Sequence, residues 1–163
     1  MSRETSALDA VQALIPDDRI LDVALAYPRG TTQSEAIGAA AGGVVGFGSD
    51  FQGVSAVLGS VAAGKLFAAT NTLPQSIVVA VSDTAVYTLG RDKLGLVGGW
   101  DTMTKLVKFD RRQLHLEVKQ RVAILEITLT DTEHDVSLEL EAKRLGNLGV
   151  KEVVALLLTD PAA

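Results

Sequence analysis

Apolar and polar positions divide this chain into three unlike stretches. The first runs to Tyr27 and predicts a helix followed by a strand. Ser6 stands as a helix cap with Asp9 three residues on, and Leu8, Val11, Ala13 and Ile15 supply an apolar side. Pro16-Asp17-Asp18 stops that helix. From Arg19 to Tyr27, Ile20, Val23 and Leu25 predict a strand with imperfect alternation, ended by Pro28-Arg29-Gly30.

The second stretch, residues 35–70, is a Gly/Ala-rich insertion. Gly38, Gly42 and Gly46 recur at intervals of four, and Ala62 follows Gly59 by three. Such spacing lines one helical face with small residues and lets helices approach closely. Gly46-Phe47-Gly48-Ser49-Asp50 reads as a break between two modest helices. Each interior glycine costs a helix about 1 kcal/mol relative to alanine, so close packing has to offset the loss.

From Ser76 the period becomes two. Ile77 to Val81 is a continuous apolar run, the pattern of a strand buried on both faces or central to a sheet. Ser82-Asp83 turns the chain, and Ala85, Tyr87 and Leu89 alternate with Thr84, Val86 and Thr88. Leu94 to Trp100 is a glycine-containing loop, and Lys105 to Phe109 is a short strand. Three clean alternations follow: Leu114-Leu116-Val118, Ala123-Leu125-Ile127-Leu129 and Val136-Leu138-Leu140-Ala142. Short turns between them predict an antiparallel meander with one wet face. Asn147 is a candidate N-cap for a last helix, with Val150, Val153, Val154 and Leu157 at helical spacing. The fold class is therefore α+β: a small antiparallel β-barrel or curved sheet closed by a C-terminal helix.

Composition narrows the function. The 163 residues form one domain, 1–163, with the insertion inside it. There is no cysteine, which removes disulfides, thiolate metal sites and thiol catalysis. A net charge of -5 argues against a nucleic-acid partner. Arg3, Glu4 and Asp9 interrupt the N-terminus, so no signal peptide is read there and the expected location is the cytoplasm.

One strand, a long connection, about six further strands and a closing helix follow the order of a pleckstrin-homology-like barrel. SIVVAVSDTAVYTL, LVKFDRRQLHLEV, AILEITLTD and DVSLELEAKRLGN resemble bacterial members of that superfamily and the related GRAM-type domains. The resemblance covers Arg19 to Tyr27 and Ser76 to Leu158. It implies a module that binds lipid headgroups, peptides or proteins, or that assembles, without catalysis. Two features depart from it. Between Tyr27 and Ser76 the only basic residues are Arg29 and Lys65, which speaks against inositol-lipid recognition. The glycine-alanine insertion has no counterpart in the pattern.

Other motifs reduce to ordinary structure. Gly59 to Lys65 imitates a phosphate-binding P-loop, but Leu66 replaces the hydroxyl residue that would hold magnesium. His115 lies on a polar strand face and His134 in an acidic turn, Asp131 to Asp135, that lacks calcium-loop spacing. Glu117, Glu126, Glu139 and Glu141 alternate outward as solvated residues. Lys105, Lys108, Arg111 and Arg112 form the densest basic group, read as a solvated strand-turn surface with a secondary role toward an acidic partner. No catalytic residue, cofactor or metal is assigned.

The insertion carries the functional expectation. Its uncharged runs, Ala36 to Ser49 and Phe51 to Gly64, are fourteen residues each, short of the roughly 20 that span a bilayer. The leading reading is self-association or docking of a protein partner, with Gly38, Gly42, Gly46, Phe47, Phe51, Leu58, Gly59 and Phe67 at the contact. Packing on its own barrel is the plain case. The alternative is a shallow anchor in the inner face of the cell membrane, with Phe47, Phe51, Val57, Leu58 and Phe67 dipping into it.

Overall fold

The computed structural model describes residues 2–28, 74–93, 97–134, 136–144 and 148–159. Helix α1 spans Arg3–Leu14. It begins earlier than the Ser6 cap predicted: Ser2 is the N-cap, its Oγ accepting from the Thr5 N–H at 3.1 Å. Seven strands follow: β1 Ile20–Pro28, β2 Ser76–Ser82, β3 Ala85–Arg91, β4 Thr104–Asp110, β5 Leu114–Gln120, β6 Ile124–Asp131 and β7 Val136–Lys143. Helix α2, Val150–Leu158, ends the described chain.

The strands make one antiparallel sheet in the order β4-β3-β2-β1-β7-β6-β5. The predicted meander is present as two pieces, β2-β3-β4 and β5-β6-β7, and the barrel is absent. The described strands contain no β4–β5 ladder, so the sheet ends on those two edges and stays open. β1 joins the two halves. It pairs with β2 from Ile20 to Ala26 and with β7 only at Tyr27 and Pro28.

Imperfect alternation in β1 has a physical cause. The register slips between Ile20 and Asp22, leaving Leu21 as an extra residue. A bulge of this kind puts Ile20 and Val23 on the same face despite their odd separation. From Val23 onward β1 is buried on both sides, as is β2.

Two cores explain that double burial. On the inner face, Ala24, Ala26, Ile77, Val79, Val86 and Phe109 meet Ile127, Leu129, Leu138 and Leu140 from the other half. Val150 and Val153 of α2 cover this core, with Val154 and Leu157 packed at its margin, so the stripe read from the sequence faces the sheet. On the outer face, Ala7, Val11 and Ile15 of α1 pack on Val23, Leu25, Val78, Ala80 and Leu89. The continuous apolar run of β2 therefore serves both layers.

Helix α2 starts differently from the cap predicted at Asn147, which lies outside the described residues. Gly149 is its N-cap, with φ +64° and no side-chain hydrogen bond. Just before it, Leu148 accepts the Leu25 N–H through its carbonyl at 3.0 Å, occupying part of the β1 edge that β7 leaves uncovered.

Candidate functional site

Polar side chains concentrate in three places among the described residues. The first is a row across the outer face, at the end of the sheet where β1 leaves and β2 returns. Ser76 faces Arg91 across the β2–β3 ladder, and Tyr27 faces Glu141 across the short β1–β7 ladder. All four residues are buried. Arg91 is the largest fully buried side chain among the described residues. Its Nε and Nη2 donate to the Gly98 carbonyl at 2.8 and 2.6 Å, and Nη1 donates to Ser76 Oγ at 3.2 Å and Lys93 O at 3.3 Å. Trp100 stacks on the guanidinium at 4.2 Å, a desolvated cation–π contact. Burial lowers the Arg91 pKa, yet a guanidinium keeps its charge in proteins.

This row corrects one sequence expectation. Glu141 is 3% exposed, not a solvated outward residue, and it is not without a partner. Its neighbour in register, Glu126, is half-buried and pairs with Arg121 at 2.7 Å. Alternation placed both on the outer face. It could not tell that part of this face is covered.

The second place ties the α1–β1 link to the β2–β3 turn. Asp18 Oδ2 accepts from Ser82 Oγ at 2.6 Å, Tyr87 OH at 3.0 Å and Thr84 Oγ1 at 3.3 Å. Burial alone would raise the Asp18 pKa. The three hydroxyl bonds outweigh it and hold the carboxyl below its ordinary value. Lys108 lies 5.3 Å from the Tyr87 ring centre.

The third is a cleft of about 550 Å³ between the end of the β3–β4 pair and the β6–β7 turn. Lys108, Asp110, Asp131, Glu133 and His134 line it, with Ala85, Val107 and Val136 as its apolar wall. Asp131 organises the turn. Its carboxylate accepts the Glu133 and His134 N–H groups at 2.9 and 3.1 Å and pairs with His134 Nδ1 at 2.9 Å.

That pair sets a pH dependence. The bond to Asp131 raises the His134 pKa from its ordinary 6.5, and its charge adds to the effect. Desolvation pushes Asp131 up from 3.8, but the bonds from His134 and the turn amides bring it below that value. A raised histidine pKa contributes stability present below about 6.5 and lost as pH rises through the folded value. The lowered carboxylate contributes stability above about 3.8 that is lost as pH falls through the folded value. The turn is therefore tightest between those limits. In a proton NMR titration, Asp131→Asn is expected to lower the His134 midpoint toward 6.5. An unchanged midpoint would show that the pairing does not exist in solution.

The basic group also resolves differently from its reading. Lys105, Lys108 and Arg112 are exposed, but Arg111 is buried. It donates to Ser82 O at 3.0 Å and to the α2 carbonyls of Leu156 and Thr159 at 2.6 and 3.3 Å. Arg111 is a helix C-terminal clamp between β4, β2 and α2, suited to that end of the dipole.

His115 is exposed on β5, and no three of His, Cys, Asp or Glu among the described residues gather as a metal site. None of the described helices is long and apolar enough to cross a membrane. Gly38, Gly42, Gly46, Phe47, Phe51, Leu58, Gly59 and Phe67, and the P-loop-like run to Lys65, all lie outside the described residues. Arg91 and Glu141 were missed by sequence reasoning. For Arg91 the one local signal was Leu89, two residues before it on the same strand face; Glu141 stands between Glu139 and Lys143 at that spacing and carried none. No protein-family model, curated protein or solved structure matches this chain.

Proposed function

We propose that this chain is a non-catalytic binding and assembly module of pleckstrin-homology-like architecture. Its segment 35–70 joins it to another copy or to a protein partner. The observation that carries the reading is the connection between β1 and β2. They are adjacent antiparallel strands, paired from Ile20–Ser82 to Ala26–Ile77, yet residues 29–75 stand between them. Two to five residues close such a hairpin. A connection of this length is not needed for the strands to meet, and its closure cost rises with length. It is retained for some purpose other than linking.

Two further points support the same reading. One strand, a long connection, six further strands and a last helix over the inner face is the chain order that the resemblance to pleckstrin-homology-like domains implies. The segment itself is rich in small residues at helical spacing and poor in charge, a composition suited to close helix contact.

Light scattering on the full-length protein, alone and with Gly38→Leu or Gly42→Leu, tests the proposal. Association, or capture of its partner, is expected to weaken in both variants because a leucine blocks the close approach that a row of small residues allows. Unchanged association in both would overturn it. Flotation with anionic and neutral vesicles at low and high salt tests the rival reading. Salt-resistant flotation, weakened by Phe47→Ser or Phe51→Ser, would replace the protein partner with a membrane surface.

A further inference from the structure

The open sheet has two edges, and they are built differently. β4 is blunted as an edge. Its register against β3 slips between Thr88 and Leu89, and Lys105 and Lys108 are exposed along it. Bulges and lysines are the usual means of discouraging another strand from adding to an edge. β5 has no slip. All seven of its residues pair in unbroken register with β6, from Leu114–Asp131 to Gln120–Leu125. Among the described strands it has no neighbour on its other side. Leu114 and Leu116 pack against the inner core yet are only half-buried, and Val118 on the same side of the strand is half-buried too.

The apolar positions of β5 select an occupant. Laid antiparallel against a second copy about Glu117, the strand would set Glu117 against Glu117 and His115 against Lys119. About Val118 it would pair Glu117 with Lys119, but it would set Leu116 against Gln120 and carry Leu114 past the end of the strand. About Leu116 the conflicts disappear. Leu116 then faces Leu116, Leu114 faces Val118 twice, and His115 faces Glu117 twice. Apolar pairs directly across a ladder each contribute about 0.2–1 kcal/mol. We infer that β5 is a homodimer edge, pairing antiparallel with β5 of a second copy about Leu116 and extending the sheet across the two-fold axis. Lys119 already holds Glu117 at 3.0 Å within the chain, so each Glu117 would sit between its own lysine and the partner's histidine. Only five residues overlap on each side, so the contact is small and the dimer is expected to be concentration-dependent.

This surface is separate from segment 35–70 and does not rest on the reading of that segment. The absence of cysteine makes single-cysteine crosslinking a clean test. Under mild oxidation, full-length Leu116→Cys is expected to form a disulfide dimer severalfold faster than Val118→Cys, because only position 116 meets itself. Mixing Leu114→Cys with Val118→Cys chains should give a mixed dimer that neither forms alone. Equal crosslinking at 116 and 118, or no mixed dimer, would overturn the register. A charge reversal supplies the check that does not disturb the core. Glu117→Lys should dissociate the dimer in sedimentation, and adding His115→Glu should restore it. Failure of that restoration would overturn the pairing even if the protein self-associates elsewhere. Introducing Gly42→Leu should leave the 116 crosslink unchanged, which separates this contact from one made by segment 35–70.

Discussion

Gly149→Ala is expected to cost about 4 kcal/mol, one of the two largest single-site losses anticipated here. A side chain at this position meets two obstacles. Its φ of +64° is left-handed, which costs a non-glycine residue about 1–2 kcal/mol. The added Cβ would also stand 1.9 Å from the Val23 carbonyl oxygen. That oxygen belongs to the central strand and has no flexible side chain through which to yield. The clash can be relieved only by lifting the start of α2 from β1. Doing so breaks the Leu25–Leu148 hydrogen bond and loosens Val150 and Val153 from the inner core. Gly98→Ala is the control. It has a similar φ of +75°, but its nearest obstacle is the mobile end of Lys93 at 3.2 Å. Only the backbone term of about 1–2 kcal/mol should be lost there. Urea unfolding of both variants decides the matter. Equal losses would mean that the close approach to Val23 does not hold in solution.

Arg91→Met comes next, at about 3 kcal/mol, since it removes several hydrogen bonds from a charged, buried donor. Methionine fills much of the same volume but cannot donate to Gly98 O, Ser76 Oγ or Lys93 O. The Gly98 carbonyl receives two of the donors, so Gly98 and Trp100 should loosen from the end of β3. Arg91→Lys keeps the charge without the planar fork and should recover only part of the loss. Trp100 is the single tryptophan and lies against the guanidinium, so its fluorescence reports the site directly. The expected result is an altered native emission together with a lower unfolding midpoint. Unchanged emission in Arg91→Met would sink the stacking; an unchanged midpoint would sink the structural role.

Both residues carry a lesson about legibility. Gly149 looks like one more loop glycine near a helix start, and Asn147 is the better cap by residue type. What makes Gly149 necessary is the passage of β1 against it, a contact between residues far apart in sequence. Arg91 reads as the end of a strand, where a charge is expected to reach water. It is instead covered by the loop that follows. Arg111 repeats the point: it sits in a basic run beside an exposed arginine, yet three carbonyls from β2 and the C-terminal end of α2 converge on it. The His134–Asp131 pair was closer to the surface of the sequence, since a turn between alternating strands already placed them together. The direction of its pKa shifts needed the hydrogen bonds.

By itself, the sequence determined the strands and helices of the described chain to within a few residues. Period-two and period-3.6 patterns are local, and each β-strand had to alternate or be doubly apolar to fit its layer. It also determined that β2 would be buried on both faces and that Val150, Val153, Val154 and Leu157 would face a core. Tertiary structure decided which strands are neighbours, that β4 and β5 remain unjoined, and which charges leave water. Periodicity says which face a side chain occupies, but burial depends on what distant segment covers that face. Glu141 and Glu117 have the same local pattern; one is enclosed and the other exposed because only the first lies beside β1.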